Sequence, residues 1–161
     1  ILCLKDVVLE IEPKVVEKGG TSTLKCSYDL EGGPLYTVSW YRGHHEFYRY
    51  TPKDNPKTKI FPFTGVHVDL KQSNEHQVVL RKVGFNLSGK FSCEVTTDAP
   101  LFTAVTVSKN MSVVVLPSKP PTLTTERSYY EVGDTLRANC KSSPSKPPAN
   151  LTFVLSTMVS T

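Results

Sequence analysis

The chain is poor in the groups that catalysis needs. Its 161 residues hold no H-E-x-x-H, no G-x-S-x-G and no glycine-rich phosphate loop. His44 and His45 are its only adjacent histidines. Neighbours in a turn point apart, so a shared metal would also need His67 or His76 folded beside them. No two cysteines stand at C-x-x-C spacing, and no base is placed to activate a thiol. The sequence therefore predicts no enzyme: no catalytic residue, no metal site, no cofactor and no small-molecule substrate. Lys and Arg number 19 against 15 Asp and Glu, and the net charge of +4 is dispersed without a basic run, which argues against nucleic acid. No apolar run approaches the ~18 residues of a membrane span. Any membrane attachment is expected outside these residues, and Ile1-Leu2 reads as the tail of a removed leader.

What is present is a frame of two cysteines and the single tryptophan. In Leu24-Lys25-Cys26-Ser27-Tyr28 the alternate residues Leu24, Cys26 and Tyr28 face one way, as in a half-buried strand. Trp40 follows in another period-two stretch, and Cys93 ends Ser88-Gly89-Lys90-Phe91-Ser92-Cys93. Cysteine, then tryptophan, then a distant second cysteine, each on a strand, is the framework of an immunoglobulin sandwich. There the two cysteines bridge the sheets and the indole packs on the bridge. A Cys26–Cys93 disulfide is thus predicted, in an oxidising compartment. Three sequons, at Asn86, Asn110 and Asn150, agree with an extracellular protein, secreted or held at the cell surface. The pairing of Cys3 and Cys140 stays open, because bridge geometry is not legible in sequence separation.

Strand signals fill this frame. Asp6 to Ile11 reads as an edge strand that breaks at Pro13 and resumes at Val15-Val16. Leu35 to Arg42, Glu46 to Tyr50, Lys59 to Phe63, Val66 to Leu70, Gln77 to Val83 and Gly89 to Thr97 follow, with a last strand between Thr103 and Leu116. The stretch from Trp40 to Cys93 is longer than a seven-strand constant-type domain needs. The surplus fits the two extra strands of a variable-type domain, near Phe47 and Ile60. The fold expected is all-β: a variable-type immunoglobulin domain over 1–116, a Pro-rich linker over 117–121, and a second, incomplete immunoglobulin-like domain over 122–161. In that second part Leu136 to Cys140 repeats the Cys26 strand, and Leu151 to Leu155 reads as a further strand. With no second cysteine in reach, the fragment is expected to pack poorly or to lean on the first domain.

If Trp40 and Cys93 face inward, their neighbours Ser39, Tyr41, Glu94 and Thr96 face outward on the same sheet. One parity set of Phe47-Tyr48-Arg49-Tyr50 must join Tyr41 outside; Phe47 and Arg49 are taken as that set. Tyr, Phe and Arg are the side chains that anchor protein interfaces, so Ser39, Tyr41, Phe47, Arg49, Glu94 and Thr96 form the expected partner-binding face. An aromatic, flat face is expected for a protein partner, and a concave pocket for a small ligand.

The stretches Cys26-Ser27-Tyr28-Asp29-Leu30, Leu35 to Arg42 and Glu46 to Pro52 resemble the Beaten path (Beat) family of insect neuronal immunoglobulin proteins. So do Lys59-Ile60-Phe61-Pro62, Gln77 to Arg81, Ser88 to Glu94, Asp98-Ala99-Pro100, Ser145-Lys146-Pro147 and Asn150-Leu151-Thr152. The resemblance implies two immunoglobulin domains, the first variable-like. It also implies a Sidestep-family ectodomain as partner, in axon guidance, defasciculation and synaptic partner choice. A homophilic adhesion module and a soluble immune-type ligand-binding protein are the alternatives. Variable-type domains usually carry D-x-G-x-Y-x-C before the second cysteine. Here Leu87 and Phe91 replace the acid and the tyrosine, so apolar packing is expected to hold that corner.

Overall fold

Ten strands form two facing sheets in the computed structural model, which describes residues 3–156. In chain order they are β1 (Lys5–Glu12), β2 (Val15–Glu17), β3 (Ser22–Asp29), β4 (Leu35–Arg42), β5 (His45–Tyr50), β6 (Thr58–Ile60), β7 (His67–Val68), β8 (Gln77–Arg81), β9 (Gly89–Thr97) and β10 (Ala104–Val114). One sheet runs β1-β3-β8-β7 and the other β2-β10-β9-β4-β5-β6. The leader reading of Ile1-Leu2 and residues 157–161 lie outside the described residues.

The first strand breaks where Pro13 was expected to break it. β1 pairs antiparallel with β3 in one sheet, and β2 crosses to pair parallel with β10 in the other. β5 and β6 extend the larger sheet beyond β4. These are the two additional strands that the long Trp40–Cys93 interval called for, and they make the sandwich variable-type. Several strand boundaries moved, two of them for a visible reason. β7 ends at Val68, because the Asp69 carboxylate accepts from the Lys71 N–H and pairs with Arg81 at 2.5 Å, which turns the chain into a 3-10 helix over Leu70–Gln72. The edge strand near Ile60 stops short of Pro62, which lacks the N–H a ladder needs.

The core lies between the sheets. Leu9, Ile11, Leu24, Cys26, Val78 and Leu80 come from one side; Val38, Trp40, Phe47, Tyr48, Phe91, Cys93, Val95, Met111 and Val113 come from the other. Cys26 and Cys93 are bridged, with Cα atoms 6.3 Å apart. Trp40 sits directly across the strand pair from Cys93 and meets Tyr48 edge-on at 5.3 Å.

The corner before Cys93 departs from expectation. Leu87 and Phe91 are fully buried, yet the corner is also held by a cation. Arg42 donates to the carbonyls of Asn86 (3.2 Å) and Ser88, beside the ring of Phe91. The guanidinium thus takes up one carbonyl of the 3-10 turn Phe85–Leu87 and that of Ser88, the residue that ends it, a polar tie that apolar packing cannot supply. Gly89 makes room for it. Its φ is +134°, and a Cβ there would meet the Arg42 guanidinium at 2.7 Å. Gly89→Ala should therefore cost about 1–3 kcal/mol, from backbone strain together with the displaced guanidinium, read by urea unfolding. A variant as stable as the wild type would show that this contact contributes nothing.

The chain divides into two compact units between Val114 and Val115. In the second unit β11 (Thr122–Thr125) and β12 (Ala138–Lys141) form an antiparallel hairpin, and Val115 and Lys146 exchange two backbone bonds of 2.9 Å. Leu151 to Leu155 is not the strand expected. No described strand pairs with it, and Phe153, Val154 and Leu155 instead line a groove with Leu123, Leu136 and Ala138. None of the described residues of this unit is buried. Since every buried core residue among those described precedes Val114, deleting residues 118–161 should leave the thermal unfolding of the first unit nearly unchanged. A collapse of that transition would mean that the core depends on the second unit.

Candidate recognition face

The face opposite the core on the larger sheet is built row by row from strand register. Thr106 on β10, Glu94 on β9, Ser39 on β4, Arg49 on β5 and Lys59 on β6 stand side by side. The next row is Ser108, Ser92, Tyr41 and Glu46, and on the other side Ala104, Thr96 and Thr37. Four predicted residues, Ser39, Tyr41, Glu94 and Thr96, thus come together as the parity of Trp40 and Cys93 required, and Arg49 joins them.

Phe47 does not. It is fully buried and packs edge-on against Phe91 at 6.0 Å, inside the sandwich. The reason is a bulge in β5: Trp40 opposes Tyr48 but Tyr41 opposes Glu46, so Phe47 is the inserted residue. A bulge puts two consecutive side chains on one side and resets the alternation beyond it. Phe47 and Tyr48 therefore both turn inward, while Glu46 and Arg49 turn outward. The strict two-set reading of this strand fails at that point.

Nor is the face flat or aromatic. It is a hollow of about 520 Å³ lined by Tyr36, Thr37, Ser39, Tyr41, Glu46, Arg49, Thr51, Lys53, Asp54, Glu94 and Thr96. Ser39 is its floor, only 3% exposed. Glu46 and Arg49 pair at 2.7 Å, and Lys53 and Asp98 at 2.5 Å. The hydrogen bond from Lys53 holds the Asp98 carboxyl below the usual carboxylate range. Burial first, then the hydrogen bond to Glu46, pushes the Tyr41 hydroxyl up to about 12, so it stays protonated as a donor across the physiological range. Glu94 accepts from the Thr106 hydroxyl at 3.1 Å.

The sequence missed the rim. Tyr36 is 49% exposed at a second bulge, between Leu35 and Thr37 in the β4–β9 ladder. Beyond Thr97 the β9–β10 turn presents Leu101 and Phe102, the latter 71% exposed with φ at +44°. Two large apolar side chains are thus left in solvent on a turn, one of them in the left-handed backbone region that L side chains rarely adopt. In the sequence they go unmarked, between the turn at Asp98-Ala99-Pro100 and a last strand starting at Thr103 or beyond. Of the sequons, Asn110 stands on β10 opposite Lys90, in line with Ser108 and Thr106. Asn86 lies on the 3-10 turn Phe85–Leu87, its carboxamide donating to the Thr64 carbonyl. Asn150 is exposed in the second unit. Cys3 and Cys140 are free thiols. Among the described residues no helix is long and apolar enough to cross a membrane.

Known structures share this architecture. Murine CEACAM1b superposes with a TM-score of 0.69 at 19% identity, over 86% of this chain and 68% of that one. A chain of the mouse coronavirus receptor-binding domain complexed with its murine receptor gives 0.66 at 16% identity, with the same coverage. The amphioxus IgVJ-C2 molecule gives 0.55 at 18%, over 83% of this chain and 72% of that one. At such identities the likeness is one of fold. No curated protein sequence matches the chain. Residues 6–115 match the model of the immunoglobulin domain. With that match over well over half of its length, on a bridged two-sheet sandwich, the chain belongs to the immunoglobulin-domain family.

Proposed function

We propose that this is an extracellular cell-recognition protein that binds another protein through the hollow face of its larger sheet. The observation that carries the reading is the hollow itself, with Tyr36, Tyr41 and Arg49 in its lining, together with the exposed Leu101 and Phe102 on the β9–β10 turn. Apolar anchors around a polar centre suit a protein surface, because the anchors supply buried area and the charges supply selection. Arg49 and Lys53 already have carboxylate partners, whereas Glu94 has only a hydroxyl beside it. A lysine or arginine of the partner fits there. The similarity to the Beaten path family supplies the partner class, a Sidestep-family ectodomain, and the setting of axon guidance, defasciculation and synaptic partner choice. The protein is secreted or attached at the cell surface, and its second unit is part of a further immunoglobulin-like domain. A receptor–virus complex among the structural neighbours supports protein binding by this fold in general.

The concavity of the face also favours a second reading, a soluble immune-type protein with a polar or carbohydrate ligand in the hollow. Immobilised Sidestep-type ectodomains separate the two. The wild type should bind them, Tyr41→Ala and Arg49→Glu should each bind about tenfold more weakly or worse, and soluble oligosaccharides should not compete. Binding to oligosaccharide alone would establish the second reading and remove the first.

A further inference from the structure

We infer that β10 carries a self-pairing edge, on which a second copy of this chain adds antiparallel to make one continuous sheet. Three hydrogen bonds settle which groups face that edge. Thr97 N–H donates to the Thr103 carbonyl at 2.8 Å, so the odd-numbered residues of β10 bond to β9. On the other side Ser112 N–H donates to the Lys14 carbonyl and Val114 accepts from Lys18, so the even-numbered residues face away from β9. β2 covers only Ser112 to Val114. The same outward ladder continues through Asn110, Ser108, Thr106 and Ala104, where no strand among the described residues pairs with it.

Sheet edges are normally blocked by charge, proline, bulges or shortness. β1 has Lys5, Asp6, Glu10, Glu12 and a bulge, and β6 has three residues. The free part of β10 has one charge, Lys109, no proline and an unbroken register with β9. It is also self-complementary. A two-fold axis through Val107 sets Thr106 opposite Ser108 of the second copy and Ala104 opposite Asn110, so every outward N–H and C=O finds a partner. On the inner side the part-buried Val107 meets its own copy at a close, non-hydrogen-bonded position. An N-glycan on Asn110 would cap the end of this ladder.

Sedimentation equilibrium of the full chain, made without glycans and with Cys3 and Cys140 alkylated, tests this independently of any Sidestep-type partner. A reversible monomer–dimer equilibrium is expected. Ser108→Pro removes an outward N–H and leaves the backbone ladder to β9 intact, giving up only the 2.8 Å hydroxyl contact with Ser92, so it should weaken the dimer about tenfold or more while the chain stays folded. Where proline disturbs folding, Thr106→Lys with Ser108→Lys, both at exposed positions, places like charges opposite each other and should do the same. A chain that remains monomeric overturns the inference, whether or not it binds a strand of another protein. So does a dimer that both variants leave intact.

Discussion

Replacing both bridge cysteines, Cys26→Ala with Cys93→Ala, should lower the unfolding free energy of the first unit by about 4 kcal/mol. The bridge closes a loop of 67 residues, and on the chain-entropy model a loop of that length restricts the unfolded chain by that amount. The native state also loses packing, because Cys26 and Cys93 are buried in the core and Trp40 lies across from Cys93. With a domain's whole stability at about 5–15 kcal/mol, the variant should be marginal at body temperature. Urea unfolding of the oxidised wild type and the double variant measures the difference. A loss under about 1 kcal/mol would mean that the two sheets hold together without their link.

The second large effect separates two aromatic residues that look alike in the sequence. Phe47→Ala should cost about 3–5 kcal/mol of stability, the range for truncating a buried aromatic residue. Its ring has no exposed surface and meets Phe91 edge-on. Tyr41→Ala, half-buried on the outer face, should cost far less stability and instead weaken partner binding. Paired thermal unfolding and binding curves distinguish them. If Phe47→Ala unfolds like the wild type, the bulge that places it inside is wrong.

Those two residues also mark how far the sequence could be read. Cys26, Trp40 and Cys93 fixed the sandwich, since a disulfide and an indole at strand positions leave few other solutions. The parity they set placed Ser39, Tyr41, Glu94 and Thr96 correctly. Parity survives only while pairing is regular, however. One inserted residue in β5 sent Phe47 inward and brought Glu46 to the surface, and no local signal in Glu46 to Tyr50 reveals it. Tyr36 escaped notice for the same reason, at the bulge in β4. Arg42 at the corner was missed because its partners are backbone carbonyls, which any sequence supplies. Leu101 and Phe102 were passed over because two apolar residues between a turn and a strand carry no signal of which way they point. In the second unit the repeat of the Cys26 strand was legible as β12. The ladder expected for Leu151 to Leu155 depended on a neighbour that composition cannot supply.

The central claim, recognition of a protein through the outer face of the larger sheet, is tested most directly by a binding titration on a Sidestep-type ectodomain. Three chains are compared: the wild type, Glu94→Arg, and Lys25→Ala on the opposite sheet, where Lys25 pairs with Glu12. Glu94→Arg should weaken binding about tenfold or more with its unfolding transition unchanged, and Lys25→Ala should bind as the wild type does. Equal affinity for Glu94→Arg and the wild type, or a loss confined to Lys25→Ala, would contradict it.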